Sequence, residues 1–440
     1  MSETTNHPKD KVRELQRKLW ISAKRSRTRR FHALYDRVYR LDVLTEAWRR
    51  VKSSHGVGGI DGETIEAIET RGVEPFLLEI QNKIREGSYY PVAVKRVYIP
   101  KPNGKMRPLG IPTIRDRVVQ MAAKIVIEPI FEADFLGCSY GFRPKRNAIE
   151  ALERIREAAN HGYNWVLDVD IKGYFDNIQH GKLIEMVSQR ISDRRIIKLI
   201  RKWLESGVMV EGRYEETTVG TPQGGVISPL LSNIYLHYLD EEWDRKYTTL
   251  GILTRYADDF ILQSKSWGQM REGKERIREI LKDLKLELEP DKNQEINLGL
   301  GRQGFNFLGH YLRKCHSIKY PGHYFLNRWP AQESMAKVRE KIRRVTSYHR
   351  VMIKNVQELI PELNQILRGW SNYFKSGNAA RKFSQIEKYV WQRLVIFQNR
   401  RRQIKRPHQR REYNYDWFQN LGIYRLMGQI QYPKRAYSKA

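Results

Sequence analysis

Leu253–Gln263 reads LTRYADDFILQ, and Trp165–Ile171 reads WVLDVDI. In the first stretch two short apolar runs flank the adjacent aspartates Asp258 and Asp259. That is the pattern of a β-hairpin with carboxylates at its turn. The second reads as a strand with Asp168 and Asp170 on one face. Carboxylates on two adjacent strands can converge on one point. A cluster of Asp170, Asp258 and Asp259 is costly unless cations neutralise it. Hard oxygen donors without His or Cys suit Mg²⁺. A pair of such ions roughly 3.5–4 Å apart can clamp the attacking and leaving oxygens of a phosphoryl transfer. Aspartate is also an ordinary turn residue, so the apolar flanks and the second acidic strand carry the distinction. Asp168 reads as a supporting carboxylate.

Working outward, Val92–Pro100 alternates as a strand, Lys101–Gly104 (KPNG) is a turn, and Arg107–Pro112 continues extended beyond it. Apolar steps of three and four predict helices within 11–54, at 64–86, 114–131, 146–160, 182–206, 226–245 and 269–286. Val208–Val219 reads as a hairpin around Glu211-Gly212, and 304–312 as a strand. Beyond about 330 three basic helices are expected, at 331–348, 355–375 and 381–402. Strands, hairpins and helices without a βαβ rhythm argue for an α+β fold followed by an all-helical module.

The 440 residues carry 80 Lys+Arg against 50 Asp+Glu, a balance of +30. Residues 1–40 contribute +8, residues 301–440 contribute +22, and the 260 residues between them are neutral. Basic ends of this size predict a polyanionic partner. No apolar run reaches the ~20 residues of a membrane span, and the charged N-terminus has no secretory signal pattern. Cys138 and Cys315 are too few for a disulfide framework or a cysteine zinc module. A reducing, cytoplasmic setting is expected, without a membrane.

Tyr256-Ala257-Asp258-Asp259 resembles the active-site hairpin of reverse transcriptases. Other blocks follow in that family's order: Lys101–Pro112 resembles the fingers hairpin, Tyr140–Pro144 the next block, Asp168–Asp176 the first palm strand, and Gly220–Leu230 (GTPQGGVISPL) the loop and helix beside the nucleotide. The wording is similar to group II intron-encoded reverse transcriptases, the maturases. GIDG within Gly56–Gly62 resembles their extra N-terminal block, and Leu367–Phe374 (LRGWSNYF) their thumb. The ending LGIYRL with Tyr432-Pro433 is also similar.

The resemblance implies a right-hand polymerase. Its expected parts are a basic extension over 1–40, fingers over 41–165, palm over 166–315, thumb over 316–402 and a basic tail over 403–440. It implies that Asp170, Asp258, Asp259 and the Ile171 carbonyl hold two Mg²⁺, with Mn²⁺ as a possible substitute. Lys101 and Arg107 would grip the triphosphate. Phe175 would exclude a 2′-hydroxyl, Gln223 and Lys292 would approach the nucleotide, and Asn306–Gly309 would support the primer end. Gly58 and Gly59 would form a lid over the template. Trp370, Tyr373 and Phe374 read as core first. Arg343, Arg344, Arg400, Arg401 and Arg402 are the candidate RNA contacts. Expected partners are intron RNA, an RNA template with a DNA or RNA primer, dNTPs and target DNA, with the protein a monomer or dimer. The cysteine pairs of an HNH-type endonuclease domain are missing, so no endonuclease activity is expected. Two other roles compatible with the sequence are a splicing cofactor and a relative recruited to defence or repair.

Overall fold

The computed structural model describes residues 8–100, 104, 106–210, 213–215, 219–221, 224–290, 293–351, 355–402 and 413–431. The chain divides into two compact units. One comprises residues 1–147, 169–262 and 271–293, the other 148–168, 263–270 and 294–440. The α+β composition is the one expected, and the last third is helical. No helix among the described residues is long and apolar enough to cross a membrane.

The first unit is built on the helix Ile114–Glu132. Thr113 caps it, its hydroxyl accepting from the Asp116 N–H at 3.1 Å. The sequence IRDRVVQMAAKIVIEPIFE has apolar residues on every side, and 15 of its 19 residues are buried. A helix apolar all round belongs inside a core. Pro8–Arg25 and Leu41–Lys52 pack on it. The expected helix at 64–86 is two helices, Ile65–Arg71 and Val73–Arg85, broken at Gly72 with φ +108°. The expected helix at 182–206 is likewise two, His180–Arg190 and Arg194–Leu204. The break is Asp193, a buried N-cap that accepts from the N–H groups of Leu34, Tyr35 and Arg195.

Glu46, on Leu41–Lys52, is 4% exposed and accepts from Arg49 and Arg50. The Arg49 hydrogen bond leads in holding its carboxyl down to about 2 from 4.5, against the opposing effect of burial. A depressed carboxylate contributes stability that is complete above 4.5 and lost as the pH falls through about 2. Glu46→Gln should therefore cost roughly 2 kcal/mol at neutral pH, discounted because Arg49 is largely exposed. An acid titration followed by circular dichroism should show the two proteins converging below pH 4.5, with the difference gone near 2.

The two strands of the fingers-like hairpin pair as read, Val94–Pro100 antiparallel with Met106–Ile111 and Pro100 facing Met106, while Lys101–Asn103 of the expected turn lie outside the described residues. Val208–Val210 adds parallel to the first strand and Arg213–Glu215 follows, giving four strands. Ile252–Tyr256 and Asp259–Ser264 are neighbouring strands of a second sheet, and Trp165–Asp168 pairs antiparallel with Gln294–Asn297.

In the second unit, the single strand expected at 304–312 is a hairpin. Gly304–Phe307 and His310–His316 turn at Leu308-Gly309, both with positive φ, and Tyr324–Pro330 completes three strands. The helices Gln332–Val345, Val356–Phe374 and Ala380–Arg401 enclose a core that includes Val338, Ile342, Leu363, Leu367, Phe383 and Leu394. Asn355 and Glu358 form a capping box at the start of Val356–Phe374. Residues 413–431, expected to lie in a tail, fold into this core. Phe418, Ile423 and Leu426 are buried in it, and the Glu387 carboxylate accepts from the Leu426 N–H at 2.8 Å. The apolar residues of WFQNLGIYRL outweigh the charge of the stretch just before them.

Candidate active site

The turn at Ala257-Asp258 joins Ile252–Tyr256 to Asp259–Ser264. Ala257 adopts φ +60° and is 4% exposed. Left-handed backbone costs a non-glycine residue about 1–2 kcal/mol, so something must hold it.

That support is Arg255, which is fully buried with Asp240. Its Nε donates to Asp240 Oδ1 at 2.8 Å and its Nη2 to Asp240 Oδ2. Its Nη1 donates to the Ala257 carbonyl at 2.8 Å and to Asn233 Oδ1 at 3.1 Å. Asn233 Nδ2 donates in turn to the Gly141 carbonyl at 2.8 Å. Gly141 lies flush on the turn: a Cβ there would stand 2.9 Å from the Tyr256 carbonyl carbon and closer still to the Ala257 nitrogen. Backbone bonds from Arg255 N to Cys138 O and from Tyr140 N to Arg255 O lock the two segments together.

Asp258 is partly buried. Its carboxyl is raised from 3.8, first by burial and then by the charge of Asp170, while Arg107 and Arg255 pull it down. So the structure brings Asp170 and Arg107 each within electrostatic reach of Asp258. Glu289 N donates to Asp170 O and Lys172 N to Glu287 O, bracketing the Ile171–Leu288 bridge. In this antiparallel pattern residue 171 turns its own N–H and C=O to the opposite side of the strand. Asp259 is exposed at the start of its strand. Among the described residues no three His, Cys, Asp or Glu side chains are gathered tightly enough to hold a metal ion by themselves. The Asp170–Asp258 repulsion and the hard oxygen donors nevertheless fit a divalent cation, which would relieve that repulsion.

Phe175 is half-buried in the short helix Tyr174–Asn177, and its carbonyl accepts from Thr221 N at 2.8 Å. This fixes Thr221 beside that helix. Gly224 has φ +118°, and a Cβ there would collide with the Gly110 carbonyl, so only glycine fits at this point against the Met106–Ile111 strand. Lys101, Gln223 and Lys292 lie outside the described residues.

Gly58 and Gly59 are accounted for by contacts within the chain. A Cβ on Gly59 would stand 2.7 Å from Thr113 Cα, and one on Gly58 2.6 Å from the Glu63 carbonyl. Arg117 binds the Val57 carbonyl, fastening this loop to the buried helix. In the second unit the Leu308 carbonyl accepts from the Tyr373 hydroxyl at 3.0 Å. His310, its imidazole pushed down to about 4 by burial, packs 4.7 Å from the Phe374 ring. Phe374 is core, Trp370 partly buried, and Tyr373 38% exposed. Arg343, Arg344, Arg400, Arg401 and Arg402 are all exposed. Arg343 pairs with Glu340, and Arg400 and Arg402 lie over the Tyr348 and Tyr413 rings.

Sequence reasoning missed Arg255, Asp240, Asn233 and the packing role of Gly141. The signal was an arginine inside a short apolar strand, which folds only if fully paired.

Residues 99–324 match the family described as Reverse transcriptase (RNA-dependent DNA polymerase), and residues 335–416 the Group II intron, maturase-specific domain. The chain is 37% identical over 340 residues to Protein YkfC of Escherichia coli, covering 68% of this chain and 88% of that protein. It is 41% identical over 214 residues to the Group II intron-encoded protein LtrA of Lactococcus lactis, covering 48% of this chain and 35% of LtrA. Nuclear intron maturase 4 of Arabidopsis thaliana is 26% identical over 175 residues, 39% of this chain and 22% of that protein. The acidic turn, the fingers-like hairpin and the helical last third thus coincide with two matched domains in the right order, and the chain belongs to the group II intron reverse transcriptases, RNA-directed DNA polymerases joined to a maturase-specific domain.

Proposed function

We propose that this chain copies RNA into DNA at Asp170, Asp258 and Asp259, and that its maturase-specific unit binds intron RNA to assist splicing and mobility. The observation that carries the polymerase reading is the left-handed turn at Ala257 that presents Asp258, whose carboxyl feels the charges of both Asp170 and Arg107. The family works with divalent metal ions. The three aspartates and the Ile171 carbonyl would hold two Mg²⁺, or Mn²⁺, which would lower the pKa of a primer hydroxyl and neutralise charge on the leaving pyrophosphate.

The chain's own residues supply position and charge. Arg107 would meet the triphosphate as a planar fork and Lys101 as a point charge. Phe175, fixed from below by the Thr221 bond, would press against the sugar and leave no room for a 2′-hydroxyl. Gln223 and Lys292 would line the same nucleotide. Asn306–Gly309 would support the primer end, held by Tyr373 and His310. Target DNA would be a further substrate during mobility. The test is extension of a primer on an RNA template with dNTPs, beside rescue of a cognate intron's splicing at low Mg²⁺. Absence of any extension would refute the polymerase reading, and absence of rescue the maturase reading.

The basic residues act through phosphates. Replacing Arg343, Arg344, Arg400, Arg401 and Arg402 together with Gln should weaken RNA binding and flatten the slope of log K against log salt by roughly 0.7–0.9 per lost phosphate contact. Filter binding across a salt series measures it. Truncation at 400 cannot make this test, since it would strip Phe418, Ile423 and Leu426 from the core.

A further inference from the structure

We propose that Arg255 is a positioning residue for polymerisation: its guanidinium, fixed by Asp240 and Asn233, sets the left-handed backbone of Ala257 and so aims Asp258. This rests on the polymerase reading above.

Four observations converge. Arg255 and Asp240 are both 0% exposed, deep in the unit that carries the acidic turn. A buried ion pair is rarely the most stable solution; apolar residues of equal volume often serve as well or better. Its retention therefore invites a role beyond stability. The guanidinium uses one edge for Asp240 and spends the remaining nitrogen, Nη1, on the Ala257 carbonyl and Asn233. Ala257 is the strained residue of the turn, with φ +60°, and it directly precedes Asp258. Finally, the network closes on itself. Asn233 binds the Gly141 carbonyl, and Gly141 packs on the Tyr256–Ala257 peptide. The turn is thus gripped on one side by backbone contact and on the other by a hydrogen bond.

The planar fork makes this possible. Lysine can oppose Asp240 but has no rigid second edge to hold the Ala257 carbonyl and Asn233 at the same time. Arg255→Lys keeps the charge pair and gives up the aim. The double substitution Arg255→Met with Asp240→Leu removes both charges, leaving neither one buried alone.

The experiment compares these two variants with wild type and Asp258→Ala. It measures thermal midpoint, template–primer affinity, kcat and KM for single-nucleotide addition, Mg²⁺ half-saturation, and Mn²⁺ binding followed by electron paramagnetic resonance. Both variants are expected to fold and to bind template–primer as wild type does. Their kcat should fall about 100-fold, the cost of a misplacement near 1 Å, with half-saturation by Mg²⁺ moved to higher concentration and Mn²⁺ binding weakened. The KM for nucleotide should move far less. A purely structural pair would move none of the metal readouts. Wild-type kcat and metal dependence in either folded variant would overturn the proposal. So would collapse of both variants, because the network would then serve the whole core rather than the turn. If wild type itself fails to extend a primer, the polymerase reading falls, and Mn²⁺ binding still decides whether Arg255 aims Asp258.

Discussion

Asp258→Ala should leave a folded, RNA-binding protein that extends a primer at least roughly a thousandfold more slowly, since several kcal/mol of transition-state charge stabilisation are lost with a metal-holding carboxylate. Asp170→Ala should behave alike. The electrostatics separate this result from simple unfolding. The Asp258 carboxyl lies above its usual 3.8, chiefly through burial and then through Asp170. A raised carboxyl costs stability when ionised, fully so above its folded pKa, and the cost shrinks as the pH falls from there toward 3.8 and is gone below it. In metal-free buffer at neutral pH, Asp258→Ala should therefore melt no lower than wild type. Single-turnover extension on an RNA template, melting in EDTA and filter binding check the three parts of this expectation. Extension within tenfold of wild type would sink the assignment.

Gly141→Ala, a single methyl group, should rank next. The added Cβ would meet the Tyr256–Ala257 peptide at distances real Cβ contacts do not show, and its neighbours there are backbone rather than movable side chains. Overpacking of this kind typically costs about 1–3 kcal/mol. The larger effect is on rate: the turn must shift, Asp258 shifts with it, and a displacement near 1 Å costs about 100-fold. Because Gly141 also holds Asn233 through its carbonyl, the variant should lose kcat more than nucleotide KM. Melting and steady-state kinetics on one preparation decide it; unchanged kcat would show that the peptide contact is slack.

Why the acidic turn was legible and its support was not follows from the chemistry. Asp258 and Asp259 stand out because adjacent carboxylates between apolar runs contradict the local pattern. The hairpin at Val94–Ile111 was legible from alternation and an Asn-Gly turn. The burial of Arg255 could not be read from its strand of five, because its partners are Asp240, fifteen residues earlier, and the Cys138–Gly141 segment. The break at Asp193 was hidden for a related reason: its partners Leu34 and Tyr35 are about 160 residues away. The C-terminal stretch reads as a tail because its basic residues dominate the composition, whereas Phe418, Ile423 and Leu426 decide its packing.

The helix Ile114–Glu132 has one more consequence. An element buried around its whole circumference can release its amides to solvent only when the unit around it opens globally. Its hydrogen–deuterium exchange should be the slowest in the first unit and should read out that unit's full unfolding free energy. The 56–59 loop, tethered through Arg117 and seated on Thr113, hangs from this most persistent element. Any RNA resting on the loop would thus be held by a surface anchored to the part of the fold that lets go last.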